Sequence, residues 1–314
     1  MSPSDIDMQA LQTLRSQFSQ ALKDFASSSS SNFKVLRSVP SSLPPSSSPI
    51  RTLYVLDSSF NPPSKAHLSL AKSALKSSDS TTDTRALFLL ATVNADKKPK
   101  PADFEDRLIM MTLMAEELRA AFSAPGPADG APAVDIGITK QPYFIDKAVS
   151  IDESSVYTSS SPNPETHFSQ IHLTGFDTLI RIFTAKYYPD HDPPLSALEP
   201  FLTRHGVRAT VRVDKNTTSE NLKDTTTESG SDLSSVEGQK AYLKGIADGD
   251  KEAEGAKREW AERVELVVDD SGETEGVSST KIRNAVKEGN WDEVNALVGK
   301  GVGEWIRERG LYEE

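Results

Sequence analysis

His67 and Ser64 stand just beyond Asp57-Ser58-Ser59-Phe60-Asn61-Pro62-Pro63, a run of turn and breaker residues that no strand or helix can continue. Ahead of it, Leu53, Tyr54, Val55 and Leu56 form a short apolar run of buried-strand type. Behind it, Ala66, Leu70, Ala71 and Ala74 recur at helical spacing, with Ser64 in the N-cap position. A strand, a polar turn and a helix start offer unpaired N–H groups and the positive end of a helix dipole to an anion, and His67 adds an imidazole in the first helical turn. The stretch Gly276–Gly289 repeats the device. An acidic loop leads into Ser278, Ser279 and Thr280, which open a helix carrying Lys281 and Arg283. Hydroxyls, free amides and cations at one helix start make a cradle for a polyphosphate. Taken singly, each stretch is also what a plain βα connection or an N-cap cluster would show.

The elements needed to hold these groups follow from periodicity. Leu11, Leu14, Phe18, Leu22 and Phe25 mark an N-terminal amphipathic helix, expected to dock on the main domain or on a second copy. Ser/Pro-rich linker completes residues 1–50. A main domain is expected over 51–314. Its strands are predicted at Leu53–Leu56, Arg85–Thr92, Val134–Ile138, Phe168–Leu173, Val207–Val213 and Arg263–Val268. Helices are predicted at Phe104–Ala121, Tyr143–Val149, after Gly175, at Leu195–His205 with Gly206 as the C′ residue, at Ser278–Lys287, at Trp291–Val298 and at Val302–Arg309. Residues 214–254 read as a low-complexity, disordered acidic insertion, with a helix around Val236–Ile246. The β–α alternation predicts an α/β fold: a doubly wound, Rossmann-like parallel sheet with its ligand at the carboxyl ends of the strands.

Composition narrows the function classes. The net charge of −11 argues against a nonspecific nucleic-acid partner and against a basic membrane-surface protein, so a phosphate site has to gather its cations locally. There is no cysteine, and the five histidines lack ligand spacing, which excludes thiolate chemistry and predicts no zinc site. No apolar run is long enough to span a bilayer. Asp5, Asp7 and Asp24 are at odds with a mitochondrial presequence, and the expected location is cytoplasm or nucleus.

Ser58-Ser59-Phe60-Asn61-Pro62-Pro63-Ser64-Lys65-Ala66-His67 resembles the signature of the nucleotidyltransferase superfamily, in the GSFNP-x-T-x-x-H form of nicotinamide/nicotinate mononucleotide adenylyltransferases. Phe60, Asn61, Pro62 and His67 match it, Ser64 keeps the hydroxyl of the family's Thr, and Ser58 stands where the family usually has Gly. Val277-Ser278-Ser279-Thr280-Lys281-Ile282-Arg283 resembles the family's ISST-x-[IV]-R motif. Between them, Val93–Lys100 resembles a lysine-rich loop whose lysine reaches the ATP phosphates, with Lys97 and Lys98 both candidates. Asp106-Arg107-Leu108-Ile109-Met110 resembles HR-x-x-M with Asp for His, and Gly175 and Asp177 match a G-x-D motif on the adenosine side. Arg212 stands where a strand of the family ends in an arginine near the nucleotide, and the stretch up to Tyr312 resembles a terminal structural motif. The family's V-D-x-W-E is here Val134-Asp135-Ile136-Gly137-Ile138, so the Trp that stacks on nicotinamide is missing; Tyr143 or Phe144 are candidates for that face.

The resemblance implies adenylyl transfer from ATP, with Mg²⁺, to nicotinamide (or nicotinate) mononucleotide (NMN), giving NAD and pyrophosphate. It implies His67, Ser64, Lys98 and Arg283 as catalytic groups. For ATP it implies Ser59, Phe60, His67, Lys97, Lys98, Gly175, Asp177, Arg212, Ser278, Ser279, Thr280 and Arg283; for the mononucleotide, Asn61, Tyr143 and Phe144. The expected partners are these small molecules, with no nucleic acid or membrane, and a homo-oligomer is an open option. Competing readings are a superfamily transferase acting on pantetheine phosphate or a cytidylyl acceptor, a class I aminoacyl-tRNA synthetase fragment, and a non-catalytic nucleotide-binding protein that kept the fold.

Overall fold

A computed structural model describes residues 7–45, 50–78, 83–93, 102–123, 131–157, 168–211, 233, 235–268 and 276–314. Within the span expected to be one domain, the chain divides into two units. Met1–Phe168 joins with Val277–Glu314, and Ser169–Gly276 stands as the other. Both are α/β with parallel strands, the fold class expected.

The first unit has strands β1 (Phe33–Val39), β2 (Thr52–Asp57), β3 (Thr84–Ala91) and β4 (Ala133–Thr139), in spatial order β1-β4-β3-β2. β2, β3 and β4 are parallel and buried on both faces, which is why they read as near-continuous apolar runs. β1 is a correction to the sequence reading. It lies in the 1–50 segment taken as helix and linker, yet it pairs antiparallel with β4 from Phe33↔Thr139 to Val39↔Val134. Its Phe33 explains the missing tryptophan. A Cβ on Gly137 would stand 2.8 Å from Leu87 Cδ1 and 3.1 Å from the Phe33 ring, so β4 has no room for a side chain there.

Helices cover both faces of this sheet. Leu53, Val55, Leu87 and Leu89 cluster with Phe33, Tyr157, Phe168 and Ile151, the last from α4 (Phe144–Glu153). Phe88 points to the opposite face, as strand alternation requires, and meets Phe60 in the loop before α2 (Lys65–Lys76). The long helix α3 (Phe104–Ala120) is buried nearly all round, so it has almost no amphipathic stripe. One of its neighbours is α1 (Met8–Ser27), capped by Asp7, which packs Leu11, Phe18 and Phe25 inward. The two are joined by Arg15, which donates from Nε and Nη2 to the buried Asp106 at 2.9 and 3.0 Å. Of the two expected docking places for α1, the structure uses its own chain. Asp106, which replaces the family's His, is the acceptor that fixes it.

The second unit has β5 (Ser169–Gly175), β6 (Gly206–Val211) and β7 (Val264–Val268), all parallel, with α5 (Phe176–Ile182), α6 (Glu199–Leu202) and α7 (Val236–Asp248). Two expectations change here. The Leu195–His205 helix is a 3-10 turn at Pro194–Leu198 followed by the short α6, and Gly206 opens β6 instead of closing a helix. The insertion read as disordered is structured from Ser235 onward: Ser235 caps α7, the helix expected around Val236–Ile246, through the Gly238 N–H at 3.0 Å. Residues 214–232 lie outside the described residues. Among the described residues, no helix is long and apolar enough to cross a membrane.

Candidate active site

β2 delivers the first motif. Its ladder runs one residue past the strand, where the Ser58 N–H donates to Leu89 O at 3.2 Å. The loop then turns through Phe60, which has φ 45° although it is neither glycine nor asparagine. A left-handed phenylalanine carries strain of about 1–3 kcal/mol. It is held by burial, with its ring 5.3 Å from the His67 ring and 5.9 Å from the Phe88 ring. The expectation for Phe60 at ATP rests on its backbone N–H; its side chain is a wedge behind the imidazole.

Ser64 caps α2, and His67 occupies the position three residues in, where a capping box usually has Glu or Gln. The Ser64 N–H donates to His67 Nδ1 at 3.1 Å, and Ser64 Oγ lies 2.9 Å from the same nitrogen. A backbone N–H can only donate, so Nδ1 accepts and the ring hydrogen sits on Nε2. Nε2 lies 2.9 Å from Ser58 Oγ.

The second motif reaches the same loop. Its helix α8 (Ser279–Lys287) is capped by Ser278, whose Oγ accepts from the Lys281 N–H. Ser279 Oγ donates to Pro62 O at 2.8 Å, and Arg283 Nη1 donates to Asn61 O at 2.8 Å. Arg283 Nη2 also donates to Thr280 Oγ1 at 3.0 Å. Tyr312 follows α9 (Trp291–Leu297) and α10 (Lys300–Arg309), and its hydroxyl donates to Asn61 Oδ1 at 2.9 Å. Three acceptors of one loop are therefore satisfied by donors 217 to 251 residues away in sequence. The two motifs meet, and two helix N-termini start beside each other.

Ser279 and Arg283, expected on the phosphates, spend donors on holding the loop. Tyr312, expected to be structural only, orders the Asn61 side chain. Burial lifts the Tyr312 phenol above its ordinary range, which keeps it a donor. Arg107 is buried against the same cluster. Burial lowers its affinity for the proton, and the Arg283 charge adds to that. Arg107 also donates from Nε to Ala102 O at 2.9 Å, which holds its charge inside the fold.

Other candidates are placed less closely. Tyr143 caps α4 and is 55% exposed, four residues beyond the end of β4; Phe144 is half-buried at the first helical position. Gly175 and Asp177 lie in the second unit, at the end of β5 and in the first turn of α5. A Cβ on Gly175 would stand 2.7 Å from Asp177 Oδ1, so the glycine leaves room for that carboxylate. Ser59 and Thr280 are exposed. Lys97, Lys98 and Arg212 lie outside the described residues. Sequence reasoning missed Lys147, whose Nζ pairs with Asp57 at 2.6 Å at the carboxyl end of β2. Among the described residues, no three His, Asp or Glu side chains are grouped to hold a metal.

No family model matches the chain. A Schizosaccharomyces pombe protein provisionally named nicotinamide mononucleotide adenylyltransferase is 32% identical over 241 residues, 76% of this chain and 78% of the relative. This chain belongs to the nicotinamide mononucleotide adenylyltransferase family. Among solved structures, Plasmodium falciparum nicotinic acid mononucleotide adenylyltransferase complexed with NaAD covers 84% of this chain and 98% of its own at 11% identity and TM-score 0.47. Thermotoga maritima TmcAL bound with alpha-thio ATP covers 83% and 56%, at 16% identity and TM-score 0.39. At such scores the structural likeness does not bear on the chemistry. The loop at Ser58–Ser64 and the start of α8 carry the two motifs that resemble this family's.

Proposed function

We propose that this chain transfers the adenylyl group of ATP to a pyridine mononucleotide, with the loop from Ser58 to Ser64 and the start of α8 gripping the triphosphate together. The observation that carries the proposal is the convergence of both motifs on Asn61 and Pro62, through Arg283 and Ser279. A 5′-phosphate oxygen of the mononucleotide bonds to the α-phosphorus of ATP. The bond from that phosphorus to the oxygen bridging to the β-phosphate breaks, and its electron pair leaves with pyrophosphate. The nucleophile is already anionic at neutral pH, so no general base is needed. Catalysis rests on positioning and on answering charge at the α-phosphorus and the leaving group.

In this reading His67 is the source of the hydrogen bond that answers charge on the α-phosphate, with Ser64 fixing its tautomer. Arg283, Thr280 and the first-turn amides of α8 face the β- and γ-phosphates, with Lys97 or Lys98 as a further cation. Magnesium enters as part of the substrate, Mg²⁺–ATP, carried on phosphate oxygens and water. Tyr143 offers the aromatic face that Gly137 cannot. Replacing Tyr143 with alanine is expected to raise KM for the mononucleotide about tenfold while ATP affinity holds, because stacking a base on an aromatic ring contributes ~1–3 kcal/mol. Initial rates against each substrate check this.

The function is tested by coupled assays of the full chain with Mg²⁺–ATP and NMN, nicotinic acid mononucleotide or phosphopantetheine, and with CTP in place of ATP. NAD or its acid analogue with equimolar pyrophosphate is the expected product. Turnover of phosphopantetheine or CTP alone, or ATP binding with no turnover, contradicts the proposal.

A further inference from the structure

Ser58 departs from the family's glycine, and the structure gives its hydroxyl a place in the site. The His67 ring is held at Nδ1 and against the Phe60 ring. Nδ1 accepts from the Ser64 N–H, Ser64 Oγ lies against the same nitrogen, and the buried Phe60 ring packs beside it. Its one N–H, on Nε2, ends at Ser58 Oγ, 2.9 Å away. Residue 58 is not in the left-handed region, where φ alone would call for glycine. Its own N–H is committed to Leu89 O, so the only group it can present to an anion is the side chain. A hydroxyl that accepts one hydrogen bond still has a hydrogen to donate.

We propose that Ser58 is a catalytic residue that relays the His67 hydrogen bond to the α-phosphate. The order of donation is Ser64 N–H to Nδ1, Nε2–H to Ser58 Oγ, and Ser58 Oγ–H to a phosphoryl oxygen. No proton is transferred along it. The hydroxyl hydrogen stays on Ser58 while charge builds on the phosphoryl oxygens, and each donor polarises the next. His67 is then a positioning residue acting through Ser58, in place of the direct contact that a glycine at 58 would leave room for. The proposal rests on the adenylyl-transfer reading.

Thr and Val have the same shape and differ in the hydroxyl, so Ser58→Thr and Ser58→Val isolate it. In NAD formation from Mg²⁺–ATP and NMN, Ser58→Thr is expected within about threefold of wild type in kcat, and Ser58→Val about 100-fold below, the scale of one lost transition-state donor. KM for ATP is expected to move little, because the bond strengthens only in the transition state. Equal kcat for the two variants overturns the relay. If neither branched side chain is tolerated, Ser58→Ala and His67→Ala decide it. A relay requires the double variant to be no slower than Ser58→Ala, because His67 acts only through that hydroxyl, and multiplying effects overturn it. A wild-type chain that forms no NAD removes the adenylyl-transfer reading and the relay with it; an active wild type with equal Thr and Val variants removes the relay alone.

Discussion

Replacing His67 with alanine is expected to lower kcat for NAD formation by at least about 100-fold, the typical effect of removing one donor that stabilises a transition state. The expectation follows from how completely the ring is fixed. Ser64 holds Nδ1, Phe60 packs beside the ring, and Nε2–H is directed at Ser58 Oγ, through which it serves the reaction. The substitution also removes the side chain that caps the Ser64 N–H, a loss of about 1 kcal/mol in stability. That loss does not unfold a domain, so the rate effect is expected with a thermal midpoint lowered by only a few degrees. Steady-state kinetics beside a melting curve separate the two. A variant that turns over near the wild-type rate takes His67 out of the mechanism.

Replacing Asp135 with alanine is expected to destabilise the first unit by about 3–5 kcal/mol, because it leaves a buried guanidinium without its counter-charge. Asp135 is fully buried in β4 and accepts from Arg85 Nε and Nη2 at 2.9 and 2.6 Å, from Ser38 Oγ at 2.6 Å and from Tyr157 Oη at 3.0 Å. These partners come from β3, from β1 and from the segment after α4, so one carboxylate ties together the strand that sequence reasoning missed and the sheet it joins. Burial, and after it the Asp135 charge, hold the Tyr157 phenol far above its ordinary range, which keeps it a donor. Urea denaturation followed by far-ultraviolet circular dichroism measures the effect. A loss below about 1 kcal/mol would mean that the cluster contributes no more than surface pairs do.

The parts of this fold legible in the sequence are those encoded locally. Leu53–Leu56, the breaker run and the α2 periodicity lie within a few turns of one another, so strand, loop and capped helix follow from neighbouring residues. The same holds for the Ser278 cap of α8. What the sequence hides is set by partners far along the chain. Phe33 to Val39 breaks its alternation at Val35-Leu36, where the pairing shifts register; serine-rich segments flank it, and only β4 supplies its ladder. The exchange of an aromatic for Gly137 reads as a lost substrate contact; Phe33, on another strand, shows it to be a packing requirement. Asp106 reads as a departure from a motif until Arg15 is placed against it. Tyr312 and Asn61 are separated by 251 residues, and neither carries a mark of the other. Gly206 shows the converse failure. A glycine after an apolar run is a sound helix stop locally, but pairing with Ile171 of β5 takes it as the first residue of a strand.

The account stands on one triphosphate being held by both motifs. A crystal structure of the chain with a non-hydrolysable ATP analogue and Mg²⁺ tests this most directly. The expected result has an α-phosphate oxygen within hydrogen-bond reach of the Ser58–His67 pair while the β- and γ-phosphates lie at the Ser279–Thr280 start of α8. A triphosphate bound away from the Ser58–Ser64 loop, or one that touches the loop and leaves the start of α8 without a phosphate contact, would contradict it.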